Sequence, residues 1–422
     1  MQGRLFYSTQ QEFLRKNEQA LPSSIQFPAH VMVHMSLSQR LNLVGNDEPA
    51  LRIHDLIKAP ENTEWSQEKK HSWDASEPAT VYHTPEMMPD GSPTTAATVI
   101  LRTKGCHWWW SSGCTFCGYF NDTRDDVTSE DLHSQWDKSL AKFDDFESMG
   151  MVKVYTSGSL LEDREIPLDF QERVLRDCHE MGKELVVESR TEQLSEEKLA
   201  WATKINPKFS VAIGLEAYDD EVLRFHVNKG FSTKSWDRAV ENLEKFGLRI
   251  KTYLMFKPPF MSEGDALVHG AKWIRDVAER SDEISVNPMN IQKGTVIDRL
   301  FRANEYRPPW LWSLVQLIHD VHYDIHPTNS GNGADDQVSR LIIHPTAGGK
   351  VRGAHNCGSC DGDVVAAIER YSVSGDIHEL DGLDCDCKQV WQCEIELDKC
   401  MPIPLGSGKN RRGNALLHLR SP

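Results

Sequence analysis

The chain reads as an α/β protein organised around a parallel sheet, and three observations lead there. From residue 98 onward, short β-branched runs alternate with longer stretches of helical periodicity. The longer stretches are amphipathic: within 129–146, Leu132, Trp136, Leu140, Phe143 and Phe146 recur at three- and four-residue steps and make one apolar face. The runs end in small, polar or proline-rich clusters, as in Thr156-Ser157-Gly158-Ser159, Lys257-Pro258-Pro259 and Asn287-Pro288.

Taken in order, residues 1–92 form an extension with patchy periodicity, and 58–93 reads as loop. Strands are expected at 98–103, 152–156, 184–188, 209–215, 249–256 and 283–287, with helices at 129–146, 167–181, 195–203, 233–246 and 265–280. Ser195 and Thr233 are plausible N-caps, and Gly247 a C-terminal stop. A further helix starts near Tyr306-Arg307-Pro308-Pro309-Trp310, where proline suits the first turn. Beyond about residue 326 the alternation stops, which divides the protein into 1–92, 93–325 and 326–422.

Composition narrows the class. A protein of 422 residues with 39% hydrophobic and 26% charged residues is long enough for two or three folded units. No apolar run approaches the ~20 residues of a membrane helix, and the N-terminus lacks a signal-peptide plan, so a cytoplasmic protein is expected. The net charge of −16 argues against autonomous, tight nucleic-acid binding, but not against a nucleic-acid substrate presented by a basic partner.

Of ten cysteines, Cys178 stands alone in an amphipathic stretch as a core thiol. Cys106, Cys114 and Cys117 occupy one loop three residues past the 98–103 strand, with Phe116 and Gly118 flanking the last of them. Three thiolates can hold three irons of a [4Fe-4S] cube and leave the fourth open to chelate a small molecule. The other reading is a zinc site completed by His107. The arrangement resembles the signature of the radical S-adenosylmethionine (SAM) superfamily, although seven residues separate Cys106 from Cys114 where three are usual. That resemblance implies a partial (β/α)6 TIM-like barrel with its chemistry at the C-terminal strand ends. It also implies SAM contacts from Ser157, Gly158 and Ser159 through free N–H groups, from Glu188 and Arg190, and from Glu216. The consecutive Trp108, Trp109 and Trp110 either shield the cluster or stack on a base; shielding is the preferred reading.

A second group, Cys357, Cys360, Cys385 and Cys387, supplies a C-x-x-C and a C-x-C pair. Four thiolates suit a closed structural zinc site, with Cys393 and Cys400 near enough to substitute, and a second iron–sulfur cluster as the alternative. With both groups placed, the sequence resembles the archaeosine-biosynthesis radical SAM family from about residue 99 to 391. The stretches that carry this are 102–106, 114–119, 155–159, 188–190, 214–216, 228–231, 257–260, 306–312 and 348–360, with Cys385 and Cys387. The seven-residue gap belongs to that family.

The resemblance implies an enzyme of tRNA modification. A partner subunit attaches lysine to 7-cyano-7-deazaguanine in the tRNA D-loop. The radical SAM subunit then cleaves the C–N bond of the lysine side chain, leaving a formamidine. The resemblance further implies an electron donor, and a partner that presents the tRNA. Two other readings remain at this point. One is a different radical SAM tRNA enzyme, a methylthiotransferase or an Elongator-like subunit. The other is a non-catalytic, zinc-stabilised scaffold.

Overall fold

Alternating burial on both faces of successive strands is what the β-branched runs encode, and the sheet they build is a half-barrel. The computed structural model describes residues 73–325 and 339–400. Eight strands pair in sequence order: β1 (Thr80–Met87), β2 (Pro93–Ile100), β3 (Met151–Tyr155), β4 (Glu184–Ser189), β5 (Ser210–Glu216), β6 (Arg249–Phe256), β7 (Glu283–Pro288) and β8 (Arg340–Ile343). β1 runs antiparallel to β2, and every later pair is parallel. The helices are α1 (His107–Ser111), α2 (Ser129–Leu140), α3 (Leu168–Glu180), α4 (Glu196–Ile205), α5 (Thr233–Lys245), α6 (Glu263–Ala278), α7 (Val296–Arg302), α8 (Leu311–Ile325), α9 (Asp361–Ser374) and α10 (Cys387–Cys400).

The period of two sorts the strand residues. Val152, Val154, Leu185, Val187, Val211, Ile213, Ile284 and Val286 point outward into the main core, where Trp136, Trp236, Trp273 and Trp312 of the covering helices are fully buried. The opposite parity carries Ala96, Met151, Val186 and Ala212 into a small cluster inside the barrel. Level with that cluster, toward the N-terminal half of the strands, lies a charged layer. Lys153 pairs with Glu86, and Lys251 with Glu283. Arg340 of β8 reaches both Glu86 of β1 (3.4 Å) and Glu283 (3.3 Å), so side chains link the two edge strands.

All six expected strands form, 249–256 with the ends expected and the others shifted at one end or both. The 98–103 strand begins earlier, at Pro93, and leaves the sheet after Ile100. Helix 129–146 stops at Leu140, and a 3₁₀ turn at Phe146–Ser148 follows. Asp144 and Asp145 fall where the C-terminal end of a continued helix would repel negative charge. Ser195 caps α4 by accepting from Lys198 N, whereas α5 is capped by Ser232 rather than Thr233.

Two strands carry no clear sequence signature. β1 falls inside 58–93, which reads as loop because Pro85 interrupts it; an edge strand tolerates that proline. β8 is four residues long, too short to carry a pattern. The sheet therefore extends outside the expected 93–325 boundaries at both ends. α9 and α10 add Val364, Ala367, Ile368, Tyr371 and Trp391 to the same main core. Among the described residues, no helix is long and apolar enough to cross a membrane.

Candidate active site

The loop after β2 is fixed before it reaches its first cysteine. Thr103 Oγ1 donates to Glu165 (2.6 Å) and accepts from Gly105 N (3.1 Å). Gly105, at φ +94°, turns the backbone into Cys106, which begins α1. Further on, Thr115 Oγ1 donates to His226 O (2.6 Å), and Asn228 Nδ2 donates to Gly113 O (2.7 Å) and Ser112 Oγ (2.9 Å). Asn228 itself sits at φ +53° and closes the π-helical turn Val222–Val227 after β5. The long gap between Cys106 and Cys114 is thus one short helix plus a turn clamped from outside the loop.

Cys106, Cys114 and Cys117 are half-buried and free of disulfides. Burial pushes the Cys106 thiol up to about 11 and raises those of Cys114 and Cys117. Opposing burial are two enclosed cations: Arg190 acts on Cys106 and Cys114, and Lys229 on Cys114. Such thiols need a cation to become ligands, and these surroundings suit an anionic thiolate group. His107 does not complete a zinc site here. Its Nδ1 is 2.8 Å from Glu162 and its Nε2 is 3.4 Å from Glu192, so both ring nitrogens face carboxylates.

The turn after β3 lies directly against the loop. A Cβ on Gly158 would stand 2.9 Å from both Cα and Cβ of Cys106 and 2.4 Å from Glu165 Oε2. The N–H groups here are not free, contrary to the expectation from sequence. Ser157 N (3.1 Å), Gly158 N (3.1 Å) and Ser159 N (2.8 Å) all donate to Glu165. Ser159 Oγ accepts from Arg190 N (2.9 Å). Glu165 is buried, and that burial lifts its carboxyl to about 7 against the pull of these donors. It folds back from six to eight residues downstream, and no short motif announces it.

Glu188 and Arg190 do not pair with each other. Arg190 Nε donates to Glu192 (2.6 Å) and its Nη2 to Lys229 O (3.1 Å), while its guanidinium lies 5.7 Å from the Trp108 ring and 5.2 Å from Phe231. Burial works against the Arg190 charge, but the thiolate form of Cys106, then Glu192 and the thiolate form of Cys114, more than offset it. Glu188 is half-buried in the mouth beside Tyr253, and desolvation lifts its carboxyl to about 8. Glu216 occupies φ +72° at a register shift between β5 and β6, a strained position for any residue other than glycine. The shift lets its carboxylate accept from Lys229 Nζ (2.9 Å). Gly214 leaves the room, since a Cβ there would be 3.0 Å from that carboxylate. In the sequence Lys229 is only one member of Asn228-Lys229-Gly230-Phe231; its buried charge emerges from the fold.

The three tryptophans do three things. Trp108 packs on Gly230 and donates from Nε1 to Asn228 O (2.8 Å). Trp109 is buried and stacks on Phe120 with centroids 3.8 Å apart. Trp110 is 54% exposed, so it shields nothing. Phe116 bridges the main core and the cluster around Trp109.

Near the C-terminal end, Cys357, Cys360, Cys385 and Cys387 converge, with all four sulfurs within 4.8 Å of one another. The Cys357–Cys385 and Cys360–Cys387 pairs are each 3.7 Å apart. A tetrahedral ion with bonds of about 2.3 Å has sulfur edges of about 3.8 Å. Backbone N–H groups of Ser359 and Cys360 aimed at its sulfur lower Cys357 to about 6, whereas burial pushes Cys387 up to about 12. Trp312 Nε1 donates to Cys387 Sγ (3.2 Å) and Asn356 Nδ2 to Cys360 Sγ (3.3 Å). Cys393 lies exposed on α10 outside the quartet, and the side chain of Cys400 lies outside the described residues.

A parallel half-barrel carrying a three-cysteine loop beyond its first parallel strand defines the radical SAM class of fold. No protein-family model matches the sequence. Archaeosine synthase subunit beta of Methanosarcina acetivorans is 34% identical over 314 residues, covering 73% of this chain and 87% of that protein. The protein of the same name from Thermococcus kodakarensis is 32% identical, covering 75% and 96%. The chain belongs to the archaeosine synthase subunit beta family. Among solved structures, it is similar to an archaeal Elp3 from Methanocaldococcus infernus (15% identity, TM-score 0.41, 61% of this chain and 60% of that one). It is also similar to a radical SAM methyltransferase from Sphaerobacter thermophilus (11% identity, TM-score 0.38, 74% and 94%).

Proposed function

We propose that this protein is the radical SAM subunit that completes archaeosine in tRNA. It would cleave the C–N bond in the side chain of a lysine joined to 7-cyano-7-deazaguanine, leaving the formamidine. The observation that carries the reading is the convergence of the free triad Cys106, Cys114 and Cys117 with Gly158, Arg190 and Glu216 at one mouth, in a protein of this family. The C–H bond next to the amidine nitrogen is unactivated, and no acid or base in the mouth opens it. A [4Fe-4S] cluster with SAM supplies that chemistry when bound, as one electron that releases a 5′-deoxyadenosyl radical.

The protein's part is to hold and to exclude. Cys106, Cys114 and Cys117 ligate the cluster, and Phe116 packs behind them. Arg190 offers its charge to the SAM carboxylate. Because Glu165 occupies the N–H groups of 157–159, the Ser157 hydroxyl and the turn carbonyls are left for the SAM ammonium, and Gly158 permits close approach. Glu188 and Glu216 meet the ribose and amine. Residues 93–325 carry the chemistry. Within 326–422, Cys357, Cys360, Cys385 and Cys387 bind structural zinc, for which the 3.7 Å sulfur edges are the support. A partner subunit attaches the lysine and presents the tRNA, an electron donor reduces the cluster, and the reaction is cytoplasmic.

The test is incubation of the reconstituted protein with SAM, dithionite and tRNA carrying the lysine adduct, followed by nucleoside mass spectrometry. Archaeosine and 5′-deoxyadenosine should appear together. SAM cleavage with the adduct left intact would remove the substrate assignment while keeping the enzyme class.

A further inference from the structure

One stretch of the mouth's rim is basic in this acidic protein, although carboxylates line the mouth inside it. Three segments build one rim there. The cluster loop and the β7–α7 loop are joined by Gly118 N donating to Gln292 (2.5 Å) and Asn121 Nδ2 donating to Lys293 O (3.1 Å). The 345–356 turn joins them through Ile291 N donating to Arg352 O (2.8 Å) and Arg352 Nη2 donating to Asp298 (2.7 Å). Residues 104–124, 289–305 and 345–356 together hold seven Lys and Arg against three Asp and Glu, in a protein whose net charge is −16. Lys293 and Lys350 are exposed, and with Arg299 they have no salt-bridge partner among the described residues. Trp110 stands out of the same rim, 54% exposed, while Tyr119 beside it turns its hydroxyl inward onto Gln292. Trp110 is held there by its Nε1 bond to Lys104 O (3.2 Å) rather than by packing.

We propose that this rim is the protein's own RNA contact, with Lys293, Arg299 and Lys350 meeting phosphates and Trp110 stacking on an unpaired base beside the mouth. The proposal rests on the reading of the substrate as tRNA and adds where the RNA lies. Unneutralised cations around exposed aromatic rings are the combination that tracks a sugar–phosphate backbone and takes splayed bases. A surface for an apolar protein partner would bury such rings among uncharged neighbours. The rim is small, so its affinity is modest and it serves to register the RNA over the mouth. The Cys357–Cys387 quartet adjoins the C-terminal end of the 345–356 turn, where Asn356 Nδ2 donates to Cys360 Sγ (3.3 Å).

The experiment is fluorescence anisotropy of a labelled, unmodified tRNA transcript titrated with the full-length protein across a series of KCl concentrations. Wild-type binding should be in the micromolar range at low salt and fall steeply as salt rises. A Lys293→Glu/Arg299→Glu/Lys350→Glu variant should bind at least about 10-fold more weakly, with the salt slope reduced by about 2–3. Trp110→Ala should lose about fivefold or more with the slope unchanged. The matched reversal Lys142→Glu/Lys204→Glu/Lys208→Glu, at the opposite end of the strands, should stay within about twofold of wild type. Equal loss in both triple variants, unchanged binding in the rim variant, or no salt-dependent binding by wild type would each overturn the proposal. The second of these would assign the rim to a protein partner instead. Formation of 5′-deoxyadenosine without RNA tests the radical SAM reading separately.

Discussion

Gly158→Ala places the smallest possible perturbation at the contact between the β3 turn and the cysteine loop. The added methyl would lie 2.9 Å from Cα and Cβ of Cys106 and 2.4 Å from Glu165 Oε2. Carbon atoms settle at about 3.5–4.0 Å, so the turn and Cys106 must separate by roughly 0.6–1 Å. Glu165 cannot simply swing aside, because Thr103 Oγ1 and three backbone N–H groups all donate to it. Overpacking of this kind costs about 1–3 kcal/mol of stability. Its larger effect is on position: about 1 Å of misplacement between reacting groups is worth roughly 100-fold in rate. The assay is the rate of 5′-deoxyadenosine formation with SAM and dithionite, alongside iron content. We expect iron to be retained and the rate to fall by about two orders of magnitude. Gly362→Ala, in α9 with nothing within 4 Å of the new methyl, is the control and should stabilise by about 0.5–1 kcal/mol. A Gly158→Ala protein that cleaves SAM within about twofold of wild type would show that SAM cleavage does not depend on this contact.

Lys229→Met leaves Glu216 buried at φ +72° without its cation and should cost about 3–5 kcal/mol, read as a drop in the urea midpoint; an unchanged midpoint would show that the pair is not structural. Glu86, buried at the barrel floor, is held down to about 2 from 4.5 because Lys153, Lys251 and Arg340 outweigh its desolvation. A carboxyl lowered in the fold adds stability above its unfolded value and loses it as pH falls, so Glu86→Gln should cost about 3 kcal/mol at pH 7 and almost nothing near pH 2; a cost that did not vary with pH would contradict this. Cys387→Ser should take zinc from about one per protein molecule to near zero, whereas Cys393→Ser should keep it; zinc retained in the former would mean that the quartet is not the site.

Much of this architecture is legible in the sequence because its signals are local. Strand alternation, helix faces, the cysteine triad and each pair of the second cysteine group lie within a short window of residues. What the sequence conceals depends on the tertiary fold. β1 hides behind Pro85, harmless at an edge strand. Glu165 bonds residues six to eight positions upstream, and only a folded turn aligns them. Lys229 belongs to the site because a register shift at Glu216 brings the two charges together. The tryptophan triplet shows the limit from the other side: three identical residues in a row point to packing, to a glycine-backed layer and to solvent. The period of α1, not their identity, decides which goes where.

Whether this protein is a radical SAM enzyme is tested most directly by anaerobic purification, with iron and zinc quantified together and 5′-deoxyadenosine assayed after SAM and dithionite are added. About four irons and about one zinc per protein molecule are expected, with deoxyadenosine formed by the wild type and lost in Cys114→Ala. Zinc alone after reconstitution, with no deoxyadenosine, would contradict that assignment and leave a metal-stabilised scaffold.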